Sequence, residues 1–244
     1  MKDNFSAQAQ GYAQFRPTYP DELVDFVLSL TLSHEFAWDC GTGNGQLGAK
    51  LADHFKQVFA TDISAKQIAQ AIQKPNLVYK VEPAEVTSFA DASFDLITVA
   101  QAIHWFNFDL FYKEVRRTLK PGGALAVIGY GLPEVEGRTG DKIEAFYTQT
   151  LGDYWDKERH YIDEGYKTIP FPFEEITTPA FSNQYEWSLD QLTGYLNTWS
   201  AVQHFIRQNG TNPVEAFIAD LKDNWGAAGS TKLVTFPILL RVGR

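Results

Sequence analysis

Between residues 35 and 130 short apolar runs alternate with amphipathic stretches, the texture of βαβ units that fold into a parallel sheet. Residues 35–40 predict a strand that runs into a glycine cluster. Residues 46–54, followed by Phe55 and carrying Leu47 and Leu51 at helical spacing, predict the helix after it. A second strand is expected over 58–61. Ser64 is placed to cap a helix through Ile68 and Ile72 that stops before Pro75. Third and fourth strands follow over 77–81 and 94–100, the fourth fully buried by its run Leu96-Ile97-Thr98-Val99-Ala100. Asn107 or Asp109 then starts a helix with Leu110, Phe111, Val115 and Leu119 on one face. Lys120-Pro121-Gly122-Gly123 breaks that helix sharply, and residues 124–129 predict a fifth strand.

Beyond Tyr130 the regular alternation stops. Residues 141–154 read as helical, whereas 161–179 are rich in proline, aromatic and acidic residues without a period. A strand is expected at 185–187 and an amphipathic helix over 189–199. Asn212-Pro213 is a cap and first-turn pair for a helix to about Trp225, and 233–242 form the closing strand. The chain divides on this reading into a cap segment and first helix (1–34), a cofactor-binding core (35–130), a substrate-side insertion (131–185) and C-terminal helices with the last strand (186–244). All belong to one domain.

A length of 244 residues with 44% apolar and 21% charged positions is that of an ordinary globular chain. The net charge of −9, with no basic cluster, argues against a nucleic-acid substrate, since phosphate binding needs grouped Lys and Arg. Cys40 is the single cysteine, so neither an internal disulfide nor a thiolate metal set can be built, and no metal is expected. The N-terminus lacks an apolar signal-peptide core, and no apolar run is long enough for a membrane span. A cytoplasmic protein without membrane partners is expected, either monomer or homodimer.

The chemistry concentrates at Asp39-Cys40-Gly41-Thr42-Gly43-Asn44-Gly45, between a strand and a helix. Glycines there let the backbone approach a ligand at the carboxyl end of a strand, where open α/β sheets bind their ligands. The spacing is G-x-G-x-G. A dinucleotide fingerprint needs its third glycine one place later, where Gln46 stands. Asp39, just before the first glycine, would repel a pyrophosphate but suits a cationic amine. S-adenosyl-L-methionine carries an amine and a sulfonium and has no phosphate. Asp62 ends the second strand about 20 residues on, where a carboxylate can accept both ribose hydroxyls. Cys40 is read as an inert small residue inside the loop.

These residues resemble the class I S-adenosylmethionine-dependent methyltransferases, and further matches follow in order. Pro83-Ala84-Glu85 follows the third strand. Ser93-Phe94-Asp95-Leu96-Ile97 is similar to the fourth-strand signature, and Leu119-Lys120-Pro121-Gly122-Gly123-Ala124-Leu125 to the turn into the fifth strand. The segments Ala100-Gln101-Ala102-Ile103-His104-Trp105-Phe106 and Tyr12-Ala13-Gln14-Phe15-Arg16-Pro17-Thr18-Tyr19-Pro20 resemble a small-molecule subgroup that includes trans-aconitate methyltransferase-like enzymes. The resemblance implies a Rossmann-like three-layer α/β/α sandwich. Its seven-stranded sheet is mostly parallel, with an antiparallel last strand placed beside the fifth, and it carries a helical, aromatic substrate-side insertion. It also implies cofactor contacts at Tyr12, Arg16, Asp39, Gly41, Thr42, Gly43, Gly45, Asp62, Ile63, Ala84, Glu85, Ala100, Gln101, His104 and Trp105. Pro83 replaces the aspartate that many relatives carry, so the adenine contact falls to Glu85 or to backbone amides.

Methyl transfer from a sulfonium needs positioning more than acid–base chemistry, so the lack of a triad does not exclude catalysis. His104 is either a base toward a small carboxylic acid or hydroxyl acceptor, or a packed wall of the pocket. Trp105 is equally core or ligand contact, and Ile63 adenine face or plain core. Arg16 is a clamp for the cofactor's carboxylate, with Tyr12 and Tyr19 packed nearby, or a solvated arm residue. Tyr154, Trp155, Tyr161, Tyr166, Phe171, Phe173 and Trp199 are candidates for an apolar acceptor pocket. Two rivals stay open at this point: a nicotinamide-dependent oxidoreductase, and a protein that binds the cofactor without transferring its methyl group.

Overall fold

The computed structural model describes residues 15–227 and 229–244. Tyr12 lies outside them. Five parallel strands form one side of the sheet: β1 (Phe36–Cys40), β2 (Gln57–Asp62), β3 (Leu77–Val81), β4 (Phe94–Ala100) and β5 (Leu119–Tyr130), in the order β3-β2-β1-β4-β5. The order reverses at β1, which pairs with both β2 and β4, so a crevice opens over its carboxyl end. The final strand β8 (Thr231–Gly243) runs antiparallel to β5 over residues 238–243. Its first half pairs with β7 (Ser182–Ser188).

Period-2 alternation along the strands builds two cores. Ala37, Leu96, Ala124, Ala126 and Ile128 face one layer, with helices α1 (Asp21–Ser29) and α2 (Gln46–Leu51) and the later helices α7 (Leu189–Asn197), α8 (Ser200–Asn209) and α9 (Pro213–Trp225). Trp38, Ile97, Val99, Leu125 and Val127 face the other, where α4 (Phe108–Thr118) and the segment from Ile162 to Ile169 close over them. Helices α3 (Ala65–Ile68), α5 (Arg138–Ala145) and α6 (His160–Asp163) complete the molecule. Among the described residues no helix is long and apolar enough to cross a membrane.

Several elements differ from the sequence reading. The sheet has eight strands, not seven, because Glu175–Ile176 forms a short β6 against Val242 and Gly243. Arg241 explains it: the guanidinium holds both Glu175 oxygens, at 2.8 and 2.9 Å, and donates to the carbonyls of Tyr166 and Ile169. Lys120-Pro121-Gly122-Gly123 is not a break before the strand but a bulge inside it. β5 begins at Leu119, its register against β4 shifts between Phe94 and Leu96, and Gly122 adopts φ +78°.

α2 ends at Leu51 and α3 at Ile68, each shorter than its apolar spacing suggests. Ile72 is 44% exposed, its backbone instead held by Asn44 and by the Tyr79 hydroxyl. Leu110 is likewise exposed, and the buried residues of α4 are Phe111, Tyr112, Glu114, Val115 and Thr118. The region 141–154 starts as α5 and loosens through a π-turn, Phe146–Thr150, into a 3₁₀ turn, Gly152–Tyr154. The expected helix over 189–199 stops at Asn197, and buried Trp199, with an extended ψ of 134°, caps a separate helix α8 that the pattern did not separate.

Candidate active site

The loop from β1 to α2 turns on three glycines with positive φ: Gly41 (+66°), Gly43 (+57°) and Gly45 (+80°). Two of these places are also closed by packing. A Cβ on Gly41 would stand 2.6 Å from the Ala102 methyl, and one on Gly45 would overlap the Tyr79 hydroxyl. The spacing is therefore set by close approach as well as by dihedral.

Asp39 is the post around which the loop is built. Its Oδ2 accepts from the Thr42 hydroxyl and, at 3.0 Å, from the Gly48 amide in α2, while its Oδ1 accepts from Thr98 in β4 at 2.8 Å. Burial pushes its carboxyl up to about 6, and the three donors counter that only in part. The carboxylate thus ties β1, β4, the loop and α2 together, although Asp39 also lines the cleft above. Asp62, at the end of β2, accepts from the amides of Gly43 (2.9 Å) and Ser64 (2.8 Å). Its partly exposed carboxylate faces the same cleft.

That cleft spans about 860 Å³, counting the mouth through which it opens to solvent. Of the residues anticipated from sequence, Arg16, Asp39, Gly41, Thr42, Gly43, Asp62, Ile63, Ala100, Gln101 and Trp105 line it, as does Tyr19. Gly45 lies beneath, at the start of α2. Ala84 is packed into the core beside α4, and the Glu85 carboxylate accepts from the Asn107 amide; neither is part of the lining. Tyr130, Gln67 and Asn44 line the cleft without having been singled out. Tyr130 had a signal, since it ends β5, the next strand along the same sheet rim. Its hydroxyl accepts from Arg16 at 3.3 Å and its carbonyl from the Gln101 side chain at 2.9 Å.

A second, smaller cavity of about 440 Å³ adjoins the first and shares Arg16, Gln101 and Trp105 with it. His104 and Gln101 belong to its lining with Trp155, Asp156, Arg159, Ile162 and Ser200. Gln101 holds φ +54°, a strained value for a side chain that touches both spaces. His104 is 6% exposed, with Nδ1 3.4 Å from the Tyr166 hydroxyl and its ring against Trp105. Burial, reinforced by the charge of Arg159, drives its imidazole down to about 3, so it is neutral at pH 7.

Of the aromatic candidates for an acceptor pocket, Trp155 lines this cavity and Tyr166 backs His104. Tyr161 packs on Phe108, Phe171 and Phe173 on Tyr112, Tyr154 on Phe205, and Trp199 lies in the core. Among the described residues no group of three or more His, Cys, Asp or Glu is placed to hold a metal ion.

Residues 38–127, from β1 through most of β5, match the Methyltransferase domain family. The chain is 37% identical over 246 residues to a Dictyostelium discoideum protein named as a methyltransferase, covering 98% of this chain and 93% of that one. It is 24% identical to a Saccharomyces cerevisiae protein named as an S-adenosylmethionine-dependent methyltransferase, over 90% of this chain and 89% of that one. The solved structure of an Anaeromyxobacter dehalogenans protein named as a type II methyltransferase superposes with a TM-score of 0.87 at 38% identity, covering 94% of this chain and 98% of that one. With the glycine loop, the strand-end carboxylate and the sheet order in place, the chain belongs to the class I S-adenosylmethionine-dependent methyltransferases.

Proposed function

We propose that the larger cleft binds S-adenosyl-L-methionine and that a small-molecule oxygen acceptor, a hydroxyl or a carboxylate, enters through the smaller cavity. One observation carries this reading: the two spaces meet along Arg16, Gln101 and Trp105, so a donor in one faces an acceptor in the other. The donor chemistry suits the first space. Two carboxylates line it and Asp62 already occupies the Gly43 amide, an arrangement that repels a diphosphate and favours a phosphate-free cation.

In this assignment Asp62 receives the ribose hydroxyls, and Ile63 covers the nucleobase beside it. Arg16, steadied by the Thr198 carbonyl at 3.0 Å and the Tyr130 hydroxyl, takes the carboxylate of the methionine moiety. Asp39 acts through the loop it fixes. Held there by Asp62, Ile63 and Arg16, the cofactor would supply an already activated methyl group for in-line transfer to the acceptor oxygen, its sulfur keeping the electron pair of the broken carbon–sulfur bond. A hydroxyl acceptor gives up its proton to solvent through the open side of the smaller cavity, because the His104 imidazole, held near 3, is too weak a base to keep it and serves as a wall. Trp105 and Gln101 hold the meeting edge of the two spaces and exclude bulk water from it.

Calorimetric titration with S-adenosylhomocysteine and with NADH separates this proposal from a nicotinamide enzyme. Binding of the first and not the second is the expected result. Binding of NADH alone would refute it, and S-adenosylhomocysteine binding without labelling of any small molecule by methyl-labelled donor would leave a binding protein instead of an enzyme.

A further inference from the structure

Resting on that assignment of the two spaces, the smaller cavity also indicates what its occupant looks like. Trp105, Trp155 and Ile162 give it apolar walls, and its formal charges are Arg16 and Arg159 against Asp156, with His104 neutral. Asp156 stands 4.0 Å from Nε2 of His204, which lies outside the lining.

Arg159 is the group with capacity to spare. Its Nε donates to the Tyr147 hydroxyl at 2.9 Å and lies 3.4 Å from the Asp163 carboxylate. Its guanidinium carbon sits 4.9 Å over the Trp155 ring and 5.3 Å over the Tyr147 ring. The plane is thereby fixed from one edge and one face. The two terminal nitrogens make no hydrogen bond among the described residues. A planar fork held in place with both prongs uncommitted matches a carboxylate bidentately. Asp163, exposed to solvent, already accepts from Tyr147 at 2.6 Å and leaves those prongs alone.

We infer that the acceptor is a flat organic acid whose carboxylate docks on Arg159 and whose methylated oxygen is a hydroxyl at its other end. Position separates handle from reacting atom. Arg159 lines the smaller cavity and not the cleft, whereas donor and acceptor meet at the shared edge. A carboxylate engaged by both guanidinium prongs is also a weaker nucleophile, since the charge-assisted hydrogen bonds draw electron density from both of its oxygens.

The test is calorimetry on the whole protein saturated with S-adenosylhomocysteine. The probes are 4-hydroxybenzoate, 4-hydroxycinnamate and indole-3-lactate, each beside its primary amide. At least one acid should bind about tenfold or more tighter than its amide. Arg159→Gln should abolish that preference while leaving the affinity for S-adenosylhomocysteine and for the amide intact, and Arg159→Lys should restore part of it. Acids that bind no tighter than their amides, or a preference that survives Arg159→Gln, would overturn the inference with the cofactor assignment untouched. Failure of S-adenosylhomocysteine itself to bind would remove the cofactor assignment and this inference together.

Discussion

The hydroxyl of Tyr166 stands 3.4 Å from Nδ1 of His104, and the two rings lie nearly parallel with centroids 6.2 Å apart. Tyr166 is fully buried, adopts φ +61° and packs where any side chain on Gly129 would collide with its ring. The pair is one rigid unit behind the smaller cavity. Because burial holds the His104 imidazole near 3, far below its usual value of 6.5, it is neutral across the physiological range. The depressed value makes its contribution to stability present above pH 6.5 and lost as pH falls toward 3. In a histidine NMR titration the His104 signals should stay unshifted from pH 8 down to 5. A midpoint between 6 and 7 would refute the buried, neutral assignment.

Asp39 carries the opposite sign. Its carboxyl is raised from 3.8 to about 6, so the folded state holds a proton that the unfolded state has already released. Its ionisation therefore costs stability as pH rises from 4 to 6, by on the order of 3 kcal/mol. Urea melts of wild type and Asp39→Asn at pH 4 and pH 6.5 isolate this share. The wild type should lose stability relative to the variant between the two pH values, and a constant difference would show that Asp39 does not titrate there.

Asp62→Ala should weaken S-adenosylhomocysteine binding by about 1–3 kcal/mol, the range for a lost charged hydrogen-bond partner. Calorimetry reads it directly. Unchanged affinity would remove Asp62 from the ribose role and leave it as a brace for the loop amides of Gly43 and Ser64.

Gly45→Ala should destabilise the fold by at least about 2 kcal/mol, because it combines a left-handed backbone with a methyl in the place of the Tyr79 hydroxyl. If overlap dominates, Tyr79→Phe in the same chain should recover part of the loss in a urea melt. If backbone strain dominates, it should recover none.

Arg241→Ala should cost about 2–4 kcal/mol, since one guanidinium serves two backbone carbonyls and both oxygens of Glu175. Hydrogen exchange should rise first at residues 166–176. Uniform loosening across the sheet would mean that Arg241 supports the whole fold and not that segment alone.

Much of this architecture is legible because it is local. The alternation through residue 130 sets the five parallel strands, and the glycine loop needs only its neighbours to announce itself. The task of Asp39 was not legible, because the donor that satisfies Oδ1, Thr98, comes from a different strand. Leu110 shows the limit of periodicity, since apolar spacing names a helical face but does not tell which part of it a sheet will cover. The smaller cavity was the least accessible to sequence reading. Trp155, Asp156 and Arg159 come from short turns without a period, and they meet Ser200 only through tertiary packing.

Strand β8 adds a constraint on how the protein comes into being. The edge of β5 over residues 125–130 stays unpaired until residues 238–243 have left the ribosome, so most of the chain is made before the sheet can close. During that interval an apolar strand edge is open to neighbouring nascent chains. Speed of synthesis and chaperone supply, more than the strength of any single contact, should therefore govern how much active protein a cell recovers.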